Sequence, residues 1–537
     1  MVVEPTTPFI RDLLEPQLTY VAVRLLFGWE KSLSLKNGGT GVETTTYKCF
    51  TYDYQDRLGT SYGFSRRIAD LLRFKGYNVV NQDLTERPED RCFQPDWDRL
   101  FNPILGINLR PLQDTVLVKL ATSITRKQPC RLDAATGVGK GFLIAAVCVL
   151  FPRLKIHVVT KRVPVLERLY YELSQYLPDV GMCHGGMRNK QMGNRVKLYS
   201  FDSLHHSRGD ADLLIIDECH EAATDDAAEQ LAAYDKSINI GFSATHNMRL
   251  DNKDIRVEAM CGTIAMRITY QMAVRYGLVV PIEVVWSDVT MDVDPIAGVT
   301  DTVTRKRLGL WRNSTRNEII AADARDESAD GTQVLVVCET IEHLLFLKKR
   351  LPDFEVIYAA EGIKQEDISH FRNLGIWPES LPMMTAERRS KITKDFEDGR
   401  LRKVICNTVW NVGVNFRELG VVIRADAGDS PTGDTQIPGR AARINDQTGK
   451  TIGRIRDYRD LWNRGFNQRS GNRSRRYAYH GWRQFDNTGR LLVDDNQNGF
   501  SGFRSKSQRS RNPLNLNLAT SKKPPVRKPQ TQTKEST

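Results

Sequence analysis

The chain has 537 residues, 40% of them hydrophobic and 26% charged, which is the composition of a globular protein large enough for three or four domains at ~100–200 residues each. The longest nearly apolar run, 142–151, is about half of the ~20 residues a bilayer crossing needs, and the N-terminus MVVEPTTPFIRDLLEP has acids and prolines where a signal peptide has basic and apolar regions, so membrane spanning and secretion are not expected. The net charge of +12 is uneven: residues 451–537 hold 19 Lys+Arg against 6 Asp+Glu, and the preceding 450 residues are nearly neutral, so a polyanion partner or a solubilising tail is expected of the C-terminal part.

In chain order, residues 1–100 are rich in aromatics and mixed in pattern, with a helix predicted over 65–75, stopped by Gly76, and a short strand over 77–80. From about residue 108, short apolar strands alternate with amphipathic helices. Strands are predicted at 131–134, 156–159, 196–199, 213–217 and 239–242, with an apolar helix at 142–150. A looser stretch, 287–304, reads as a linker or irregular insertion. Alternation resumes with strands at 334–338, 355–358, 404–407 and 421–425 and helices at 341–351 and 386–396. From 501 onward the chain has few large apolar residues and many prolines and basic residues, so a disordered tail is expected.

Nine cysteines are scattered without a C-x-x-C pair, which suits a reducing cytosol and a cytoplasmic location. Cys183-His184 has the ligand types of half a metal site, but no second pair stands nearby, and an ordinary loop is the better reading.

The strongest local signal is A-A-T-G-V-G-K-G, 134–141, between a strand and an apolar helix, the context of a phosphate-binding loop. Gly137 and Gly139 let backbone N–H groups converge on phosphate oxygens, flanked by Ala135, Thr136 and Val138, and Lys140 reaches the β- and γ-phosphates. Such a loop normally has Ser or Thr after its lysine to ligate Mg²⁺, whereas this chain has Gly141, where a water can fill the ligand position. Next, four apolar residues end in Asp217-Glu218-Cys219-His220: Asp217 can hold Mg²⁺, directly or through water, and Glu218 can orient or deprotonate the attacking water. Finally, in Q-I-P-G-R-A-A-R, 436–443, Arg440 and Arg443 share a helix face and can act as arginine fingers.

These motifs, with Ser243-Ala244-Thr245 between them, stand in the order found in superfamily 2 helicases, which the chain resembles over about 108–458. The resemblance implies two RecA-like domains with ATP and Mg²⁺ in the cleft between them. It places Arg110 and Gln113 on the adenine side, Gln436 with the two arginines at the phosphates, and Gly413 and Asn415 in an ATP-binding element where Asn replaces the usual Asp. His220, Ser243, Ala244 and Thr245 match the elements that couple hydrolysis to domain motion. Thr160, Lys161, Arg162, Ser200, Thr340 and Asn407 match positions that contact the nucleic-acid strand. The segment 52–80, together with Cys261-Gly262-Thr263-Ile264 and 276–281, also resembles tailed-phage recombination helicases of the UvsW type, which would make the partners branched or duplex DNA, RNA–DNA hybrids and recombination, repair or replication proteins in a host cytoplasm.

The expected fold is therefore α/β: two tandem RecA-like parallel-sheet domains, a small α+β N-terminal accessory domain and a disordered basic C-terminal tail. The expected divisions are a nucleic-acid-binding accessory domain at 1–100, the first RecA-like domain at 101–286, a linker at 287–304, the second RecA-like domain at 305–460, a basic extension at 461–500 and the tail at 501–537. The leading function is an ATP-dependent helicase that translocates on nucleic acid and separates or remodels strands. The alternatives are a duplex translocase serving a nuclease or repair complex, and a nucleic-acid scaffold with a decayed ATP site.

Overall fold

The computed structural model describes residues 1–4, 6–26, 41–83, 85, 91–186, 195–244, 254–359, 363–378, 381–407, 410, 414, 416–430, 433–436, 438–445 and 449–493. Thr245, Gly413, Asn415 and the expected tail at 501–537 lie outside them.

The N-terminal part is α+β. Strands β1 (Val2–Val3), β4 (Phe50–Tyr52) and β5 (Leu58–Thr60) form one antiparallel sheet, and β2 (Thr19–Leu26) with β3 (Gly41–Lys48) forms an antiparallel ribbon. Leu14, Leu18, Leu58, Phe64, Ile68 and Leu72 make their core, to which the predicted helix, Ser65–Phe74, contributes one apolar face. The strand expected at 77–80 is absent. The N–H groups of Gly76 and Tyr77 donate to Arg73 and Leu72 carbonyls, closing the helix end, and Val80 is exposed with no strand beside it.

A seven-stranded, wholly parallel sheet follows: β6 (Cys130–Ala134), β7 (Ile156–Thr160), β8 (Val180–Cys183), β9 (Val196–Ser200), β10 (Leu213–Asp217), β11 (Ile238–Ser243) and β12 (Thr263–Ile268), in the order β12-β6-β11-β10-β7-β9-β8. Strands buried on both faces read as continuous apolar runs, as in Leu213-Leu214-Ile215-Ile216. Cys183, expected in a loop, is the buried last residue of β8. Arg67 of the N-terminal part pairs with Glu258 through two hydrogen bonds of 2.6 Å, fastening that part to this domain.

The second sheet has eight strands: β13 (Ile282–Val289), β14 (Gln333–Val337), β15 (Glu355–Ile357), β16 (Lys403–Cys406), β17 (Leu419–Arg424), β18 (Gly453–Asp460), β19 (Arg483–Asp486) and β20 (Leu491–Val493), in the order β15-β16-β14-β17-β18-β13-β19-β20, with only the last pair antiparallel. Two expectations change here. The predicted linker opens inside a strand, because β13 runs in register with β18 from Ile282↔Gly453 to Val289↔Asp460. The predicted basic extension is part of the domain: helix Arg464–Tyr479 and strands β19 and β20 complete the sheet. Part of the positive charge from residue 451 onward is used internally. Arg473 is fully buried and forks onto Asp457 at 2.9 Å, Arg476 pairs with Asp429 and Asp434, and Arg454 and Arg456 share Glu327. The buried Arg473 is not available to a polyanion.

Candidate active site

The phosphate loop grows from β6. Ala135 N–H donates to the Ile268 carbonyl at 3.1 Å, tying the loop to β12, and the chain then turns through Gly137 and Gly139, whose φ angles of +94° and +92° are left-handed. Gly139 caps the helix Lys140–Leu150, which aims its N–H groups at the loop's hollow. Lys140 Nζ lies 3.6 Å from Glu218 Oε1 and 3.5 Å from the Ala134 carbonyl. Gln113 spans the loop's outer side: its Nε2 donates to the Val138 carbonyl at 3.0 Å and its Oε1 accepts from Arg110 N–H at 2.9 Å. The amide thus ties the phosphate loop to the backbone at Arg110.

β10 ends at Asp217, and Glu218 follows with φ +48°, a strained conformation for a residue with a Cβ that turns its carboxylate back toward Lys140. Burial first, and then the Glu218 charge, push the Asp217 carboxyl up to about 7. His220, also buried, places Nδ1 2.7 Å from Ser243 Oγ at the end of β11, and 3.4 Å from Glu218 Oε2. The acidic turn and the Ser243-Ala244 element are therefore in direct contact.

The second domain reaches this loop through the turn Pro438–Ala442, which follows the short helix Gly433–Gln436. A Cβ placed on Gly439 would lie 3.5 Å from Thr136 Cβ, and one on Gly137 would lie 3.8 Å from Arg443 Cγ. Val280 N–H donates to the Ala442 carbonyl at 2.7 Å. Arg440 is buried, and burial moves its guanidinium down to about 10; Arg443 is lowered further for the same reason, and its Nη1 donates to the Val414 carbonyl at 2.8 Å. Lys140, Asp217, Glu218, Arg440 and Arg443 are thus gathered around one loop.

Two further side chains on helix Val163–Ser174 belong to this neighbourhood and escape sequence reasoning. Arg168 is close enough for its charge to act on Asp217, Arg440 and Arg443. Glu172, one turn later on the same face, sits against Gly141: a Cβ there would lie 3.0 Å from the Glu172 Cδ and 3.3 Å from its Oε1. Glu172 Oε2 is buried and accepts no hydrogen bond from any described residue. The space a Ser or Thr would need is taken by a carboxylate, which gives Gly141 a structural reason. The spacing Arg168-x-x-x-Glu172 announces a shared helix face, but not what that face meets.

Asp217, a buried carboxylate beside Glu218, offers the hard oxygen that Mg²⁺ takes, while the described residues bring together no group of three acids, histidines or cysteines that would form a metal cluster by itself, so most of the cation's ligands would be phosphate oxygens and water.

The strand-contact candidates occupy the same end of each sheet. Thr160 and Ser200 are register partners at the C-terminal ends of β7 and β9, both buried. Lys161 and Arg162 follow at the surface, with Arg162 Nη2 donating to Glu221 Oε1 at 3.1 Å. Thr340 caps the helix Ile341–Arg350, its hydroxyl accepting from His343 N–H at 3.2 Å, and Asn407 is buried just after β16.

Two family models match the chain: "Type III restriction enzyme, res subunit" over residues 106–248, and "Helicase conserved C-terminal domain" over residues 314–445. No curated protein sequence matches it. Among solved structures, a fragment described as an HsdR subunit of a type I restriction enzyme from Vibrio vulnificus YJ016 aligns with a TM-score of 0.50 at 14% identity, covering 88% of this chain and 94% of that one. The helicase Lhr of Mycobacterium smegmatis, bound to ssDNA and AMP-PNP, aligns at 0.46 and 16% identity, over 73% of this chain and 50% of that one. T4 UvsW aligns at 0.36 and 14% identity, over 90% of this chain and 95% of that one.

Proposed function

The chain belongs to superfamily 2 of the helicases, the ATP-driven enzymes that unwind or translocate along nucleic acid, and we propose that it hydrolyses ATP in the cleft at Lys140 to move along DNA and separate or remodel duplexes, branched junctions or RNA–DNA hybrids. The observation that carries this reading is the seating of the turn Pro438–Ala442 on the phosphate loop, Gly439 beside Thr136 and Arg443 beside Gly137. A scaffold with a dead site has no need for a buried Arg440 and a half-buried Arg443 there.

In this reading Gly137, Gly139 and the helix N-terminus bind the phosphates, and Lys140 leaves Glu218 for the β- and γ-phosphate oxygens. Mg²⁺, held by Asp217, neutralises phosphate charge when bound. Released from Lys140, Glu218 orients the attacking water and takes its proton. Arg440 and Arg443 stabilise the charge on the transferred phosphoryl group from the second domain. Loss of that group removes what the arginines hold, and the domains separate. His220 reports the change to Ser243 across their 2.7 Å contact. Thr160, Lys161, Arg162, Ser200, Thr340 and Asn407 grip the strand mainly through its phosphates, so little sequence preference is expected.

The test compares ATP turnover with and without DNA in the wild type and in Lys140→Ala. DNA-stimulated turnover that vanishes in the variant, while nucleotide-free DNA binding persists, is the expected result. Turnover that DNA leaves unchanged sinks the motor reading. An unwinding assay run beside triplex displacement then separates strand separation from duplex translocation.

A further inference from the structure

The first domain has a second polar hollow, on the face of the parallel sheet opposite the phosphate-loop helix. Ile156, Val158, Leu213 and Ile215 pack toward that helix, whereas Val159, Tyr199, Leu214 and Ile216 pack in the other cluster. On this second face His157 of β7 is the register partner of Lys197 of β9, and both line a cavity of about 540 Å³, within the ~300–1,000 Å³ range of small-molecule sites. His157 pairs with Leu214, three residues before Asp217, so the hollow lies toward the N-terminal edge of the sheet, away from the ATP cleft.

Its floor is built at a cost. Lys197 is only 7% exposed and makes no hydrogen bond or ion pair with any described residue. Its ammonium opens onto the hollow, and the burial of the side chain around it lowers the Lys197 pKa. His157 is 1% exposed; its Nδ1 meets Tyr234 Oη at 2.8 Å, and its Nε2 is buried with no partner. Tyr234 donates onward to Ser207 Oγ at 2.7 Å, and Ser207 also lines the hollow. At the rim, Lys155 is paired with Asp210, while Arg208 is exposed and makes no ion pair with any described residue. Three cations, Lys155, Lys197 and Arg208, thus line one cavity against the single carboxylate of Asp210, which Lys155 engages.

We propose that this hollow is a second phosphate site, which takes a doubly charged terminal phosphate group between Lys197 and Arg208, with the Ser207 hydroxyl as a hydrogen-bond donor. A surplus of two positive charges in the lining matches a phosphate monoester better than the single charge of a phosphodiester. The group is carried either by a free, nucleotide-sized molecule or by the phosphorylated end of a nucleic-acid strand.

The experiment uses the full chain carrying Lys140→Ala, so that the phosphate loop does not compete, and measures binding of inorganic phosphate by calorimetry. Adding Lys197→Met is expected to weaken it about tenfold or more, the loss of charge-assisted hydrogen bonds. Methionine fills the same space without a charge, so the thermal midpoint should hold or rise, and Lys197→Met alone should leave ATP turnover unchanged. Arg208→Ala, at the exposed rim, gives a second variant with the same expectation. Equal phosphate binding with and without Lys197 and Arg208 overturns the site. A 5′-phosphorylated oligonucleotide that outbinds its unphosphorylated twin, with the advantage lost in Lys197→Met, assigns the group to a strand end. Phosphate binding that depends on Lys197, with the two oligonucleotides equal, assigns it to a small molecule.

Discussion

The carboxylate of Glu172 lies where a side chain at Gly141 would begin, its Oε1 3.3 Å and its Cδ 3.0 Å from the position of a Cβ there. The residue after the phosphate-loop lysine and a residue on the next helix are therefore alternatives for one space. Gly141→Ser drives Glu172 out of that space, and because the carboxylate ends a flexible side chain, the expected cost is about 1 kcal/mol, the low end of overpacking. Adding Glu172→Ala should abolish that cost in thermal unfolding. Relative to Glu172→Ala alone, the double variant should also need less Mg²⁺ for half-maximal turnover, since the hydroxyl then stands free beside the phosphates. An unchanged Mg²⁺ requirement means the metal is fully served from elsewhere.

Asp217 holds its proton to a higher pH in the folded chain than in the unfolded one, because burial and Glu218 disfavour its charge. The folded state therefore binds more protons between the ordinary value of 3.8 and about 7, and this group's contribution to stability is greatest below that window and lost as pH rises through it. Asp217→Asn should raise the thermal midpoint at pH 8 and change it little at pH 4, while abolishing turnover. Mg²⁺–ATP should shrink the difference at pH 8 by supplying the missing positive charge. A midpoint difference independent of pH would show that the carboxyl titrates normally.

Arg440 and Arg443 belong to the second domain; Arg443 borders the phosphate loop of the first at Gly137, and Arg440 follows Gly439, which meets Thr136. Arg440→Ala and Arg443→Ala should each cut turnover steeply, toward the ~10³–10⁵ that arginine fingers supply in related phosphoryl transfers, with a smaller change in ATP affinity. Single-turnover hydrolysis beside nucleotide binding checks this. Equal losses in affinity and in turnover would make them ground-state phosphate ligands.

His220 and Ser243 meet at 2.7 Å with both side chains buried. His220→Ala and Ser243→Ala should retain ATP hydrolysis within about tenfold and lose strand displacement more severely. In a double-mutant cycle the two should be non-additive by about 0.5–3 kcal/mol, as residues in contact are. Additive effects would mean that the contact carries no coupling.

The alternation of apolar strands and helices was enough to specify two parallel sheets, because a strand buried on both faces must be apolar throughout and its period is local. The phosphate loop was equally legible: two glycines and a lysine between strand and helix encode their own backbone geometry, and Gly137 and Gly139 adopt the left-handed angles such a turn requires. The acidic turn and the arginine pair were legible as motifs, each carried within eight residues or fewer. Only the tertiary structure decided what meets them. Glu172 and Arg168 face the loop because two helices pack side by side, and no local pattern records which helix is the neighbour. The segment taken for a linker starts inside β13, whose strand character comes from pairing with β18, more than 160 residues away. The positive charge of the C-terminal part was plain from composition, but its use was not: Arg473 and Arg476 spend theirs on Asp457, Asp429 and Asp434, partners that only folding brings within reach. The role of Lys197 is likewise invisible in sequence, since a lysine is solvated by default and becomes an anion site only when neighbouring strands set it in a hollow beside His157 with no carboxylate in ion-pair contact among the described residues.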